Sequence, residues 1–413
     1  MTTRVRSTTL WISTDATPDV HPGRFSAPGI LLALLTFAGM PAHAAPFIPT
    51  GDDVVLERLP ARDGPLWAEA RQRRDQLAAS PQDVDTASAL ALIYLKLQRA
   101  SGDPRLLGYA EAALKPWWSL AEPPLPAALL RAQLRQTLHE FPAAETELQL
   151  LVRREPGSAQ AWLQLATVEQ VLGKHREART ACARLALTAD PVLAGTCLAA
   201  SNGATGQAES ALGYLERALG HPQELPPGIS VWMETIAGEL ATGLGRRADA
   251  ERYFRQAILG ATQESGHPDL YLLTAYADLL LDQRRDPEVV SLLGNLTAAD
   301  TTLLRLARAE ERLGMASGPA HVAELAARLK ALLDRGDQGH GREQAYFALY
   351  LLDDPRLALP MASQNWLKQR ELIDSRLLLE AATRAGDTAA ARRVRDWLTA
   401  TGTRDVRLGV ASS

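Results

Sequence analysis

Cys182 and Cys197 are the only thiols in this 413-residue chain. In a reducing compartment such residues are small buried hydrophobes. In an oxidising one, an even pair close in sequence favours a disulfide, which on the chain-entropy model stabilises by roughly 3 kcal/mol. The disulfide is the favoured reading, with two buried thiols as the alternative. Redox catalysis would need a CxxC pair, which is absent. GxSxG, HExxH and P-loop motifs are absent too, and the histidines are scattered rather than set at ligand spacing. Gly243-Leu244-Gly245 follows no strand-like segment and is not a dinucleotide motif. Glu and Asp are plentiful, but no spacing singles out an acid–base couple. The expectation is a protein that is not an enzyme and uses no cofactor and no metal.

Mostly neutral hydrogen-bonding side chains with some aromatics recur at helical spacing. They are Gln133 and Gln136; Gln160, Thr167 and Gln170; Trp232, Thr235, Glu239 and Thr242; and Tyr271, Thr274 and Asp278. Side chains so spaced share one helix face. Each set is therefore a candidate strip of a binding surface for an extended peptide or a partner helix; the alternative is a merely solvated face. Trp117 and Trp118 follow Pro116. Exposed, they would make a binding hot spot, but capping an apolar face is the favoured reading. Arg342, Glu343, Trp366, Arg370 and Glu371 read as an ion-pair and packing set before they read as a site.

Helix pairs must position these strips. In AQAWLQLATVEQVLGKHREARTACARLALTADP, residues 159–191, Trp162, Leu165, Ala166 and Ala178 stand at the offsets of a tetratricopeptide repeat. Gly173 sits at the turn and Pro191 near the close. This unit of about 34 residues resembles the tetratricopeptide family, whose helix pairs stack into a superhelix. The spacing recurs. Five further units are marked by Leu90, Ala91 and Ala110; by Ala132 and Ala144; by Ala199, Ala211 and Ala218; by Gly238, Gly245, Ala250, Phe254 and Ala257; and by Ala277 and Leu280. Past Thr301 the repeats diverge but remain amphipathic, over 303–313, 322–333, 342–352, 356–369, 373–384 and 388–399. The expected fold is all-α, a right-handed α-solenoid. Its organisation is an N-terminal arm and first helix over 45–83, recognisable repeats over 84–300, and divergent repeats with a cap over 301–413. In solenoids of this family the first helix of each pair lines the concave groove, which gives the strips above their place. They lack the Lys/Asn/Arg set that clamps a peptide's terminal carboxylate, so that binding mode is not expected.

Ile30–Met40 is an apolar run too short to span a membrane, and Ala42-His43-Ala44 supplies a small-x-small cleavage site. Residues 1–44 therefore read as a secretory signal cleaved near Ala44, with a periplasmic or secreted product; an uncleaved anchor is the alternative. The region before the apolar run is long, and the start is expected downstream of Met1, near Val20. No Cys follows the cleavage site to carry a lipid, and no Arg-Arg pair suggests the twin-arginine route. Losing three Arg and two Asp with this segment moves the net charge from −4 to −5. The charges are interspersed, unlike a nucleic-acid or membrane-surface footprint. The segments FIPTGDDVVLERLP, KPWW, YADLLLDQ and NWLKQRE also resemble a family of exported proteobacterial repeat proteins. That resemblance implies an exported binding protein and brings no ligand.

The leading functional expectation is a periplasmic scaffold for protein–protein interaction, with a protein or peptide partner in the concave groove, in envelope assembly or export. An adaptor in polysaccharide export is the alternative. A superhelical glycan-active enzyme stands behind both, because the helical pattern runs nearly to Ser413 and leaves no room for a catalytic domain.

Overall fold

A computed structural model describes residue 51 and residues 63–226, 228–336 and 339–409. The expected signal peptide, and the expected arm up to residue 62 apart from Gly51, lie outside the described residues. Among those described there are twenty α-helices and no strand. After α1 (Pro65–Ala79) come nine antiparallel pairs. They are α2 (Val84–Ser101) with α3 (Arg105–Ala113), then, past the short α4 (Lys115–Trp118), α5 (Leu125–Thr137) with α6 (Phe141–Arg154). Next are α7 (Ala159–Val171) with α8 (His175–Leu185), α9 (Pro191–Gly203) with α10 (Ala208–Leu219), and α11 (Ile229–Gly243) with α12 (Arg247–Ser265). The rest are α13 (Leu270–Asp282) with α14 (Asp286–Leu293), α15 (Asp300–Leu313) with α16 (Gly318–Asp334), α17 (Gly341–Tyr350) with α18 (Pro355–Lys368), and α19 (Leu372–Ala385) with α20 (Thr388–Thr401). The protein is an all-α solenoid of tetratricopeptide-type pairs.

Local chemistry sets the helix ends. Asp83, Ser158, Asp190, Asp269, Asp354 and Asp387 each accept a backbone N–H at a helix start through the side chain. Small residues then let the paired helices close on one another: Ala91, Ala110, Ala144, Ala166, Ala178, Ala237, Ala250 and Ala277 have no accessible surface. At Gly238 the helices close so far that an added Cβ would lie 2.7 Å from the Phe254 ring. No pair covers its own apolar face, so the core runs from pair to pair. Trp232 packs against the core of the earlier pairs and that of the later ones, bridging both.

Arg131 fixes the second pair. Its guanidinium is buried, lies 2.6 Å from Glu147, and donates to the carbonyls of Trp117, Trp118 and Leu120. Trp117 is buried in the first pair's core, with Trp118 packed beside it. The tryptophans thus cap an apolar face.

The path winds far enough that late pairs meet the inter-helix loops of early ones. Gln369 Nε2 lies 3.1 Å from His139 Nδ1 in the α5–α6 loop. The Arg370 N–H donates to the Val171 carbonyl at 2.7 Å, and the Thr403 hydroxyl donates to the Ala204 carbonyl at 2.7 Å. Gly206, at φ 80°, faces Gly402 so closely that an added Cβ would stand 2.4 Å from the Gly402 carbonyl oxygen. At Gly173 the same atom would meet Arg370 at 2.9 Å. The order is regular: α5–α6 to residue 369, α7–α8 to 370, α9–α10 to 402 and 403. One edge of the early turn is thereby sewn to the last pairs. The helical pattern expected to reach nearly Ser413 ends at Thr401; beyond it Thr403–Gly409 fold back through a 3₁₀ turn at Val406–Leu408. Among the described residues no helix is long and apolar enough to cross a membrane.

Candidate functional site: a chamber on the concave side

Sewing the edge turns the expected open groove into a partly open chamber of about 440 Å³. The first helices of the third to ninth pairs each contribute to its wall: Gln170 from α7, Gly203 from α9, Glu239 from α11, Tyr271 from α13, Arg305 from α15, Arg342 from α17 and Arg376 from α19. The returning tail adds Arg404, Asp405 and Arg407. The volume suits a small molecule or a few side chains rather than a long helix.

Glu239 and Tyr271 form the chamber's most distinctive pair. The Tyr271 hydroxyl donates to Glu239 Oε1. Tyr271 is enclosed by protein yet keeps 55% of its surface accessible, because its ring opens onto the cavity. Burial raises the Glu239 carboxyl to about 7; the Tyr271 hydrogen bond opposes that rise, the Glu371 charge adds to it, and Arg407 opposes it. Burial, helped by the Glu239 charge, likewise holds the phenol well above its ordinary range. Near neutral pH the carboxyl can thus give or take a proton.

Four of the wall's guanidiniums are engaged with carboxylates, while Arg370 donates to the Trp366 carbonyl and lies over the Trp366 ring. Arg305 holds Asp278 at 2.7 Å, Arg342 holds Asp374 at 2.7 Å and also binds Glu371, and Arg376 holds Asp282 at 2.7 Å. Arg407 holds Asp405 at 2.9 Å. Such bidentate pairs fix the wall geometry more than they add stability. His175 lies at the edge beside Trp397, at a ring separation of 5.8 Å. Its ring nitrogens are buried without a hydrogen-bond partner, and burial lowers its pKa.

Of the residues singled out by spacing, Gln170, Glu239, Thr242, Tyr271, Thr274 and Asp278 meet on this wall. Gln170 donates to the Ser201 hydroxyl at 2.7 Å, and Asp278 is held by Arg305. The other candidates lie off the chamber wall. Gln133 and Gln136 are half-buried on α5. The Thr167 hydroxyl donates to the Leu163 carbonyl and the Thr235 hydroxyl to the Val231 carbonyl, while Trp232 is spent on core packing. Of the four units that supplied the candidate strips, the third, fifth and sixth are thus represented on the wall. Conversely, Arg342, Glu343, Arg370 and Glu371, read first as a packing set, stand on the wall. A signal for them was present: Arg305, Arg342 and Arg376 recur roughly one repeat apart on successive first helices.

The Cys182 and Cys197 sulfurs are 1.99 Å apart, joining α8 to α9 with a Cα–Cα distance of 5.6 Å. Among the described residues no group of three His, Cys, Asp or Glu side chains is arranged to hold a metal ion.

No family model matches the chain, and no curated protein matches it. Solved structures do. A Rap protein complexed with Competence and Sporulation Factor aligns over 81% of this chain and 98% of its own, at 13% identity and a TM-score of 0.43. The human IFIT1 dimer with PPP-AAAA aligns over 81% and 87%, at 12% identity and 0.44. The APC/C hetero-tetramer Cut9–Hcn1 aligns over 76% and 66%, at 17% identity and 0.38. These are likenesses between helical folds, and none brings a ligand or a reaction to this chain.

Proposed function

We propose that the protein is an exported scaffold that receives a short segment of a protein partner in the chamber. The observation that carries this is the Glu239–Tyr271 pair, a polar and aromatic group presented to an enclosed but accessible space rather than packed away. Residues 1–44 direct export, with cleavage near Ala44, and the Cys182–Cys197 bridge suits the oxidising compartment beyond. The intact mass of the exported chain should correspond to a start at Ala45 and lie two hydrogens below the dithiol. A photoreactive phenylalanine at Tyr271, inside the chamber, tests the site; the same residue at Leu259, exposed on α12, is its control. Crosslinking of a partner from position 271 and not from 259 supports the reading. A partner captured only from 259 places the interface on the outer face and overturns it.

A second reading starts from the same pair. Burial raises the Glu239 carboxyl to about 7, in the range of a general acid, and the Glu371 carboxylate, itself held by Arg342, acts on it. Release of reducing ends from a cell-wall glycan, abolished in Glu239→Gln, would move the protein from scaffold to enzyme.

A further inference from the structure

Two of the three loops on the sewn edge meet the late pairs at a histidine. In the α5–α6 loop, His139 Nδ1 lies 3.1 Å from Gln369 Nε2. This contact has a single polarity. Gln369 is 2% exposed; its Oε1 accepts from Arg342 at 2.9 Å, and its Nε2 also faces Asn365 Oδ1 at 3.3 Å. Asn365 is fixed in turn, because its Nδ2 donates to Asp374 at 2.7 Å. Gln369 Nε2 is therefore the donor, and His139 Nδ1 accepts with its lone pair. A second proton on that imidazole would set N–H against N–H. His175 opens α8 just past the α7–α8 turn, and its ring lies beside Trp397 of α20. Both its ring nitrogens are buried without a hydrogen-bond partner. An imidazolium there would carry two buried N–H groups with no acceptor, and the Trp397 indole, a donor only, supplies none.

The surrounding charges do not offset this. Around His139, Glu343 and Glu371 favour the cation while Arg342 and His340 oppose it, and burial outweighs them all, holding the imidazole below its usual range. At His175 burial is again the largest cause of a lowered pKa; Arg179 adds to it and Glu177 opposes it. From the late pairs and the tail, Arg370 and Arg404 line the same wall, and both are cationic. We propose that the seam is an acid-operated latch: protonation of His139 and His175 undoes the contacts of the α5–α6 and α7–α8 loops with residues 369, 370 and 397 and opens that end of the chamber. The α9–α10 contact is made by Ala204, Gly206, Gly402 and Thr403, none of which titrates, and it stays as the hinge. A histidine neutral in the closed seam and charged in the open one supports closure above about pH 6.5, and that support is lost as pH falls below it. The latch regulates access to the site of the proposed function, yet its test needs no partner, so the two readings fail separately.

Hydrogen exchange of the full chain reads the latch directly, because the Arg370 amide donates across the seam to the Val171 carbonyl. Its protection, corrected for the intrinsic exchange rate, should fall about tenfold between pH 7.5 and pH 5.5, while amides within α11 and α12 keep theirs. Burial raises the Glu169 carboxyl on α7 to about 7, so its titration moves global stability the opposite way over this range and the loss must be local. His139→Gln combined with His175→Phe removes both titrations. It keeps an acceptor for Gln369 and a ring beside Trp397, and it should show equal protection of Arg370 at the two pH values. Unchanged protection in the wild type overturns the proposal, as does an equal acid loss in the double variant. If the double variant is already open at the higher pH, the wild-type imidazoles decide. Their titration, followed by NMR, must coincide with the loss of protection at Arg370, and titration over a different pH range defeats the latch.

Discussion

Glu169 lies on α7 at 4% exposure, with Oε2 lacking a hydrogen-bond partner and the charges of Glu145 and Glu177 close by. Burial first, and those two carboxylates second, raise it to about 7 against the attraction of Lys174. Between pH 4.5 and 7 the unfolded chain therefore gives up a proton that the folded chain keeps, so stability is lost as pH rises through that window. Glu169→Gln removes the titration and retains the shape. Its melting temperature should match the wild type at pH 5 and exceed it at pH 8, by the equivalent of about 1–3 kcal/mol. Parallel curves for the two proteins would show that Glu169 is ionised in the fold without cost. Spacing gave no hint of this residue, since a carboxyl on the buried side of a helix looks like any other Glu until its neighbours are known. Gln170 beside it was legible, because its helix face could be read from Leu165 and Ala166 alone.

Helices were the best-read scale. The alanines of successive pairs, and Gly238 opposite Phe254, are local signals whose meaning depends only on the neighbouring helix. Even the divergent stretch from 303 to 399 yields α15–α20, since amphipathic spacing survives where repeat identity fades. What spacing does not reveal is which polar residues a fold will bury. Arg131 looks like a surface residue of α5, yet it ties Glu147 and three carbonyls of the α4 segment together. Arg131→Met should cost about 3–5 kcal/mol, because a buried carboxylate and orphaned carbonyls remain. Arg135, 3.2 Å from the same Glu147 but a quarter exposed, should cost about 1 kcal/mol or less as Met. Comparable losses in chemical denaturation of the two variants would contradict the assignment of Arg131 as the anchor.

Across the whole molecule, the chamber depends on contacts far apart in sequence, such as His139 with Gln369 and Ala204 with Thr403. No periodicity reports these, which is why the groove was legible as a groove and its closure was not. Gly206 and Gly386 share a φ of 80°, but an added Cβ is blocked by Gly402 at the first and meets nothing within 4 Å at the second. Gly386→Ala should therefore cost only the conformational penalty of about 1–2 kcal/mol. Gly206→Ala should cost about 1–3 kcal/mol more and expose residues 402–409 to limited proteolysis. Equal losses, with the tail still protected, would mean that the edge contact contributes nothing to holding the chamber shut.

The sewn edge also bears on how such a chain can change over generations. An open array tolerates the gain or loss of a unit, since each repeat needs only its neighbours. Here the α7–α8 loop must meet Arg370 and the α9–α10 loop must meet Gly402 and Thr403. Duplicating or deleting one intervening pair would present these loops to the wrong late partners and pull Arg376 on α19 away from Asp282 on α13. Register thus ties together the nine pairs of the described residues, and substitutions or changes in loops on the opposite edge would leave it intact.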